Sequence, residues 1–138
     1  MIAIRRWLGC LWASPCSALG LAFGLLVTLC GGRGGLNQGC IEFTWRRSAA
    51  ACPAPVRRLR FRAITLGHVI VALSDEDLAE FRAHEQVHVR QYARWGVFFV
   101  PAYALSSAWQ LLRGRAPYWD NAFELQARRE SAGGRPNA

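Results

Sequence analysis

Lysine is absent from this sequence, and all seventeen basic side chains are arginines against nine acids, for a net charge of +8 over 138 residues. Arginine-only usage beside abundant alanine and glycine reads as a coding bias more than a selected surface. The arginines are scattered, with one denser run at Arg57, Arg58, Arg60 and Arg62. Neither zinc-finger spacing nor an aromatic-interleaved RNA signature accompanies them, so nucleic acid is not an expected partner. The five cysteines contain no CxxC, which argues against a cysteine-zinc site and a disulfide framework. Only Cys40 and Cys52 lie in polar sequence, where pairing is open. Histidine is scarce, at three residues.

Charge is missing from two long stretches. The first, Trp7 to Cys30, follows Arg5 and Arg6 and is long enough for the ~20 apolar residues of a spanning helix. Residues 1–32 are therefore expected to be a membrane anchor, with a cleaved signal segment as the alternative. The expected location is a membrane, such as a bacterial inner membrane, held by that single anchor; export after cleavage is the alternative. The second stretch, Gly96 to Leu112, is just long enough to cross a bilayer core at about 1.5 Å per residue. Pro101, Ser106, Ser107 and Gln110 argue instead for a buried or membrane-surface helix that turns the chain back.

Residues 33–58 are rich in Gly, Ala, Pro and Arg and read as a linker. Residues 59–130 form the candidate domain, and 131–138 a disordered tail. Within the domain, RFRAITLGHVIVAL reads as one strand, or as two joined at Gly67-His68. Ser74 then begins a capping-box pattern with Asp77, acids fill the first turn, and a helix is expected from Asp75 to Trp95, stopping at Gly96. A last helix is expected from about Trp119 to Glu130. The fold class is α+β: a small sheet packed on these two helices, with an apolar N-terminal helix.

The long helix carries HEQVH, His84 to His88. At about 100° per residue, Leu78, Phe81, His84, Glu85, His88, Val89, Tyr92 and Trp95 share one face, within about 140° of arc. Arg82, Gln86, Arg90 and Arg94 take the other. A buried carboxylate without a partner costs several kcal/mol, so Glu85 needs one. Histidines at i and i+4 can converge on one ion, and the intervening glutamate can take a proton from the water that the ion acidifies. His84 and His88 are thus candidate metal ligands, Zn2+ the expected ion, and Glu85 the candidate general base.

A third ligand is required. Glu124 in WDNAFELQARR is the better candidate, although Asn121 to Glu124 also fits a capping box that would keep Glu124 for its own helix. His68 and Glu130 are weaker candidates. HEQVHVRQ followed downstream by NAFELQA resembles the gluzincin zinc metallopeptidases, and the small size is most similar to the minigluzincins. That resemblance spans roughly Phe61 to Arg129. It implies His84, His88 and Glu124 as zinc ligands, Glu85 as general base, hydrolysis of a peptide or protein substrate, and an edge strand before the helix along which substrate lies. Tyr118 is a candidate oxyanion stabiliser. Where the family often has Asp two places after the second motif's Ala, this chain has Arg129. The other class of reading is a small membrane protein with a structural or vestigial metal site.

Overall fold

The computed structural model describes residues 11–45, 54–58 and 61–133. Helix α1 (Ser14–Leu29) precedes a hairpin of β1 (Arg33–Asn37) and β2 (Cys40–Thr44). A short helix α2 (Ala54–Arg57) leads to β3 (Ala63–Leu66) and β4 (Val69–Ala72). Three helices follow: α3 (Asp75–Trp95), α4 (Phe99–Leu112), entered through a 3-10 turn at Gly96–Phe98, and α5 (Ala122–Gly133).

The four strands make one sheet in the order β1-β2-β4-β3, so the fold is α+β. Gly67, at φ +63°, and His68 form the two-residue turn that pairs β3 antiparallel to β4, so the chain takes the two-strand form. β2 runs parallel to β4, with Ile41 opposite Val69 and Thr44 opposite Ala72. The VIVA run of β4 is buried on both faces, which suits its central place. Val69 and Val71 pack with Val27, Trp45 and Phe23 on the α1 side. Ile70 and Ala72 pack with Leu78 and Val89 of α3 on the other.

One expectation needs correcting. Residues 33–44, read as linker, contribute half of the sheet. Gln38 and Gly39, both with positive φ, make the tight hairpin turn, and Gly34 leaves room for the Phe43 ring. Glycines that looked like punctuation in the sequence are used here for close approach. The described part of the N-terminal apolar segment, α1, packs against the sheet. No helix among the described residues is long and apolar enough to cross a membrane. α1 lies on the sheet because Gly20 and Gly24 admit it: a Cβ on Gly20 would stand 2.7 Å from the Val69 Cβ, and one on Gly24 would enter the Phe43 ring. Residues 1–10, the start of the expected anchor, lie outside the described residues, as do Cys52 and 134–138. Cys40 is buried under the sheet.

Candidate metal centre

α3 has the expected bounds because both ends are fixed locally. The Ser74 hydroxyl accepts from the Asp77 N–H at 3.0 Å, and Gly96 at φ +58° ends the helix. Asp77 does not close the box. Its carboxylate takes the Arg62 Nε–H at 2.7 Å, and Arg62 also donates to Glu80, pinning the start of β3 to the first turn of α3. One turn further on, Arg82 donates to both oxygens of Glu42 on β2, at 2.9 and 3.1 Å. These contacts set the rotation of α3 on the sheet, and so the direction of the His84 face.

α4 brings back the last helix. Its polar side chains point inward: the Ser106 hydroxyl accepts from the Ala122 N–H, and the Asn121 side-chain amide donates to Ser107 Oγ at 2.7 Å and to the Tyr103 carbonyl at 3.0 Å. Asn121 is fully buried, and its Oδ1 accepts from the Phe123 N–H. The start of α5 is therefore capped without Glu124, whose carboxylate is left to face α3. The uncharged stretch after Gly96 turns the chain back rather than separating Glu124 from the histidines.

The three side chains meet. Glu124 Oε2 lies 3.2 Å from His84 Nε2, Glu124 Oε1 lies 3.3 Å from His88 Nε2, and the two Nε2 atoms are 3.1 Å apart. Ligands about 2.0–2.1 Å from a tetrahedral zinc stand roughly 3.3 Å from one another. His88 Nδ1 is 2.8 Å from Gln91 Oε1, and Gln91 donates its own N–H groups to the Phe123 carbonyl and Gln126 Oε1. That network fixes Gln91 Oε1 as the acceptor, places the proton on His88 Nδ1, and turns the Nε2 lone pair toward the centre. Glu124 Oε2 is buried with no aligned hydrogen-bond donor among the described residues, and its other oxygen accepts from the Tyr103 hydroxyl at 2.9 Å. A carboxylate and two imidazole nitrogens that converge with so few protons between them fit a divalent cation, and these residues are the group able to hold one among the described residues.

The groups of the cluster shift one another's ionisation. Burial opposes ionisation of Glu124, but the adjoining imidazoles of His84 and then His88 outweigh it and hold the carboxyl well below its usual range. Burial lowers His88, but Glu124 and Glu85 outweigh it and raise the imidazole. Glu85 is pushed up by burial, partly offset by the Thr65 hydroxyl, which donates to Oε2 at 2.7 Å. Tyr118 is pushed up to about 12, first by burial and then by Glu124.

A cleft of about 840 Å³ opens over this cluster. Its walls are β3 from Ala63 to Leu66, the Phe81–Tyr92 face of α3, Phe99 to Tyr103 of α4, and Tyr118 and Trp119. β3 is an edge strand of the sheet. The remaining candidates lie elsewhere. His68 packs toward α1, with its N–H on Ser17 Oγ at 3.0 Å. Glu130 pairs with Arg90 at 2.8 Å on the surface. Sequence reading missed Gln91, Thr65 and Tyr103. Gln91 is three residues after His88, on the adjoining helix position, and that spacing was a usable signal. Thr65 and Tyr103 become neighbours of the site only through folding. The chain matches no known protein family, no curated protein and no solved structure.

Proposed function

We propose that this chain is a metal-dependent hydrolase, a small membrane-associated zinc metallopeptidase in which His84, His88 and Glu124 hold the ion and Glu85 is the general base. The observation that carries this reading is the convergence of the three ligand atoms at 3.1–3.3 Å beneath an open cleft, with Glu85 on the same helix face. Two imidazoles and a carboxylate with an open side are the donor set of a catalytic zinc site. When bound, the ion supplies Lewis acidity, which polarises a carbonyl and lowers the pKa of water. The chain's own groups do the rest. Thr65 aims the Glu85 carboxylate, Glu85 takes a proton and can return it to the leaving amine, and Tyr118 stands in the cleft wall to donate to a developing oxyanion. Edge strand β3 offers backbone groups to an extended peptide, in line with the gluzincin resemblance of HEQVH and NAFELQA.

Glu85→Gln tests the assignment. The variant is expected to retain zinc and to lose hydrolysis of a quenched fluorescent peptide library by at least about a hundredfold, the lower end of a general-base contribution. Zinc retained with no hydrolysis in either protein supports the second reading, a structural metal site, for which the Glu85–Thr65 contact is a simple packing pair. Equal hydrolysis in both proteins removes Glu85 from the role.

A further inference from the structure

The two apolar helices are inverted. Every exposed position of α4 is Val, Leu, Trp, Pro or Ala, with Leu105 at 73% and Leu112 at 82% exposure. Its polar residues Ser106, Ser107 and Gln110 are turned inward, the serines onto the start of α5. α1 repeats the pattern. From Pro15 to Leu26 its exposed positions are Pro, Ala and Leu, while Ser17 faces inward and takes the His68 N–H. A helix that faces water shows the opposite arrangement. The start of α1 meets the entry to α4: the Trp12 ring packs on Phe98 at 5.7 Å and covers Gly96, and Cys16 packs in the cluster that holds Phe99.

We infer that α1 and α4 form one lipid-facing surface that seats the protein in a single leaflet, with anionic headgroups at its rim. A protein partner is the poorer occupant, because protein interfaces carry about one hydrogen bond per 100–200 Å², and these faces offer almost no side chain to make one. Hydrocarbon asks for none. The end of α4 has the composition of a membrane interface. Trp109 sits in the last turn with the Arg113 guanidinium over its ring at 5.3 Å, and Arg115 follows. Neither arginine makes an ion pair among the described residues, so both are available to phosphate groups. The same α4 walls the cleft through Phe99, Val100 and Tyr103, so the mouth of the site lies beside the leaflet. This refines the membrane association proposed above and is independent of the metal chemistry.

Flotation of the full chain with vesicles of phosphatidylcholine containing one quarter phosphatidylglycerol tests the surface, beside the double variant Leu105→Asp, Leu112→Asp. Both positions are exposed, so the fold is retained, as circular dichroism and zinc content will show. Wild type is expected to float at low and at high salt, and the variant to bind on the order of a hundredfold more weakly. A variant that floats like wild type overturns the inference while leaving membrane association through another segment intact. Binding lost at high salt reduces the contact to charge alone and overturns it. Failure of wild type to float removes the membrane from both readings without touching the metal site. Wild type that self-associates, with only that lost in the variant, assigns the face to a second copy.

Discussion

Gln91 decides which nitrogen His88 presents. Its Oε1 takes the Nδ1 proton at 2.8 Å, and its own amide is locked to α5 through the Phe123 carbonyl and Gln126. Gln91→Ala frees the imidazole to turn and to adopt the other tautomer. Zinc affinity is expected to fall about 10- to 100-fold, the usual worth of such a partner, and Gln91→Glu, which keeps an acceptor, to restore most of it. Competition against a chelating dye measures this. Equal affinity in the alanine variant would reduce Gln91 to a packing contact between helices. The legibility of the site follows the same division. His84, Glu85 and His88 were readable because one helix carries them at fixed angles. Glu124 was readable as a candidate but not as a neighbour, and whether it served its own helix depended on where Asn121 pointed. Thr65, twenty residues from Glu85 in the chain, had no local signal at all.

At the scale of elements, the hinge of the site is the junction between α4 and α5. Ser106, Ser107 and the Tyr103 carbonyl receive the first residues of α5, and Asn121 is the piece that joins them. Asn121→Ala removes three hydrogen bonds of a fully buried side chain. The loss of the cap alone is expected to cost about 1–2 kcal/mol in urea unfolding. Zinc affinity should fall further than that of a distant variant of equal stability, because the start of α5 sets the position of Glu124. A stability loss with unchanged affinity would mean that α5 is placed by its packing on α3 instead. Element boundaries were most legible where caps are local, as at Ser74 and Gly96. They were least so for β1 and β2, because the Gly34–Phe43 contact and the parallel register of β2 on β4 exist only after long-range pairing.

The whole molecule places a sheet between two different environments. On one side α3 and α5 build the cluster, tied to the sheet by Arg62 and Arg82. On the other α1 is laid against β4 over Gly20 and against β2 over Gly24, a close approach that a hydropathy pattern does not reveal. Apolar runs of this length have two readings in a sequence, span or cover, and only their packing partners separate them. In the proposed site, distant parts of the chain, α3 and α5, jointly hold one ion. The most direct test is the zinc content of purified wild type, His84→Ala and Glu124→Ala after mild chelation and zinc re-addition. Wild type is expected to hold close to one zinc per chain and both variants to lose it. Zinc retained by Glu124→Ala as in wild type, or absent from wild type, would contradict the proposed site.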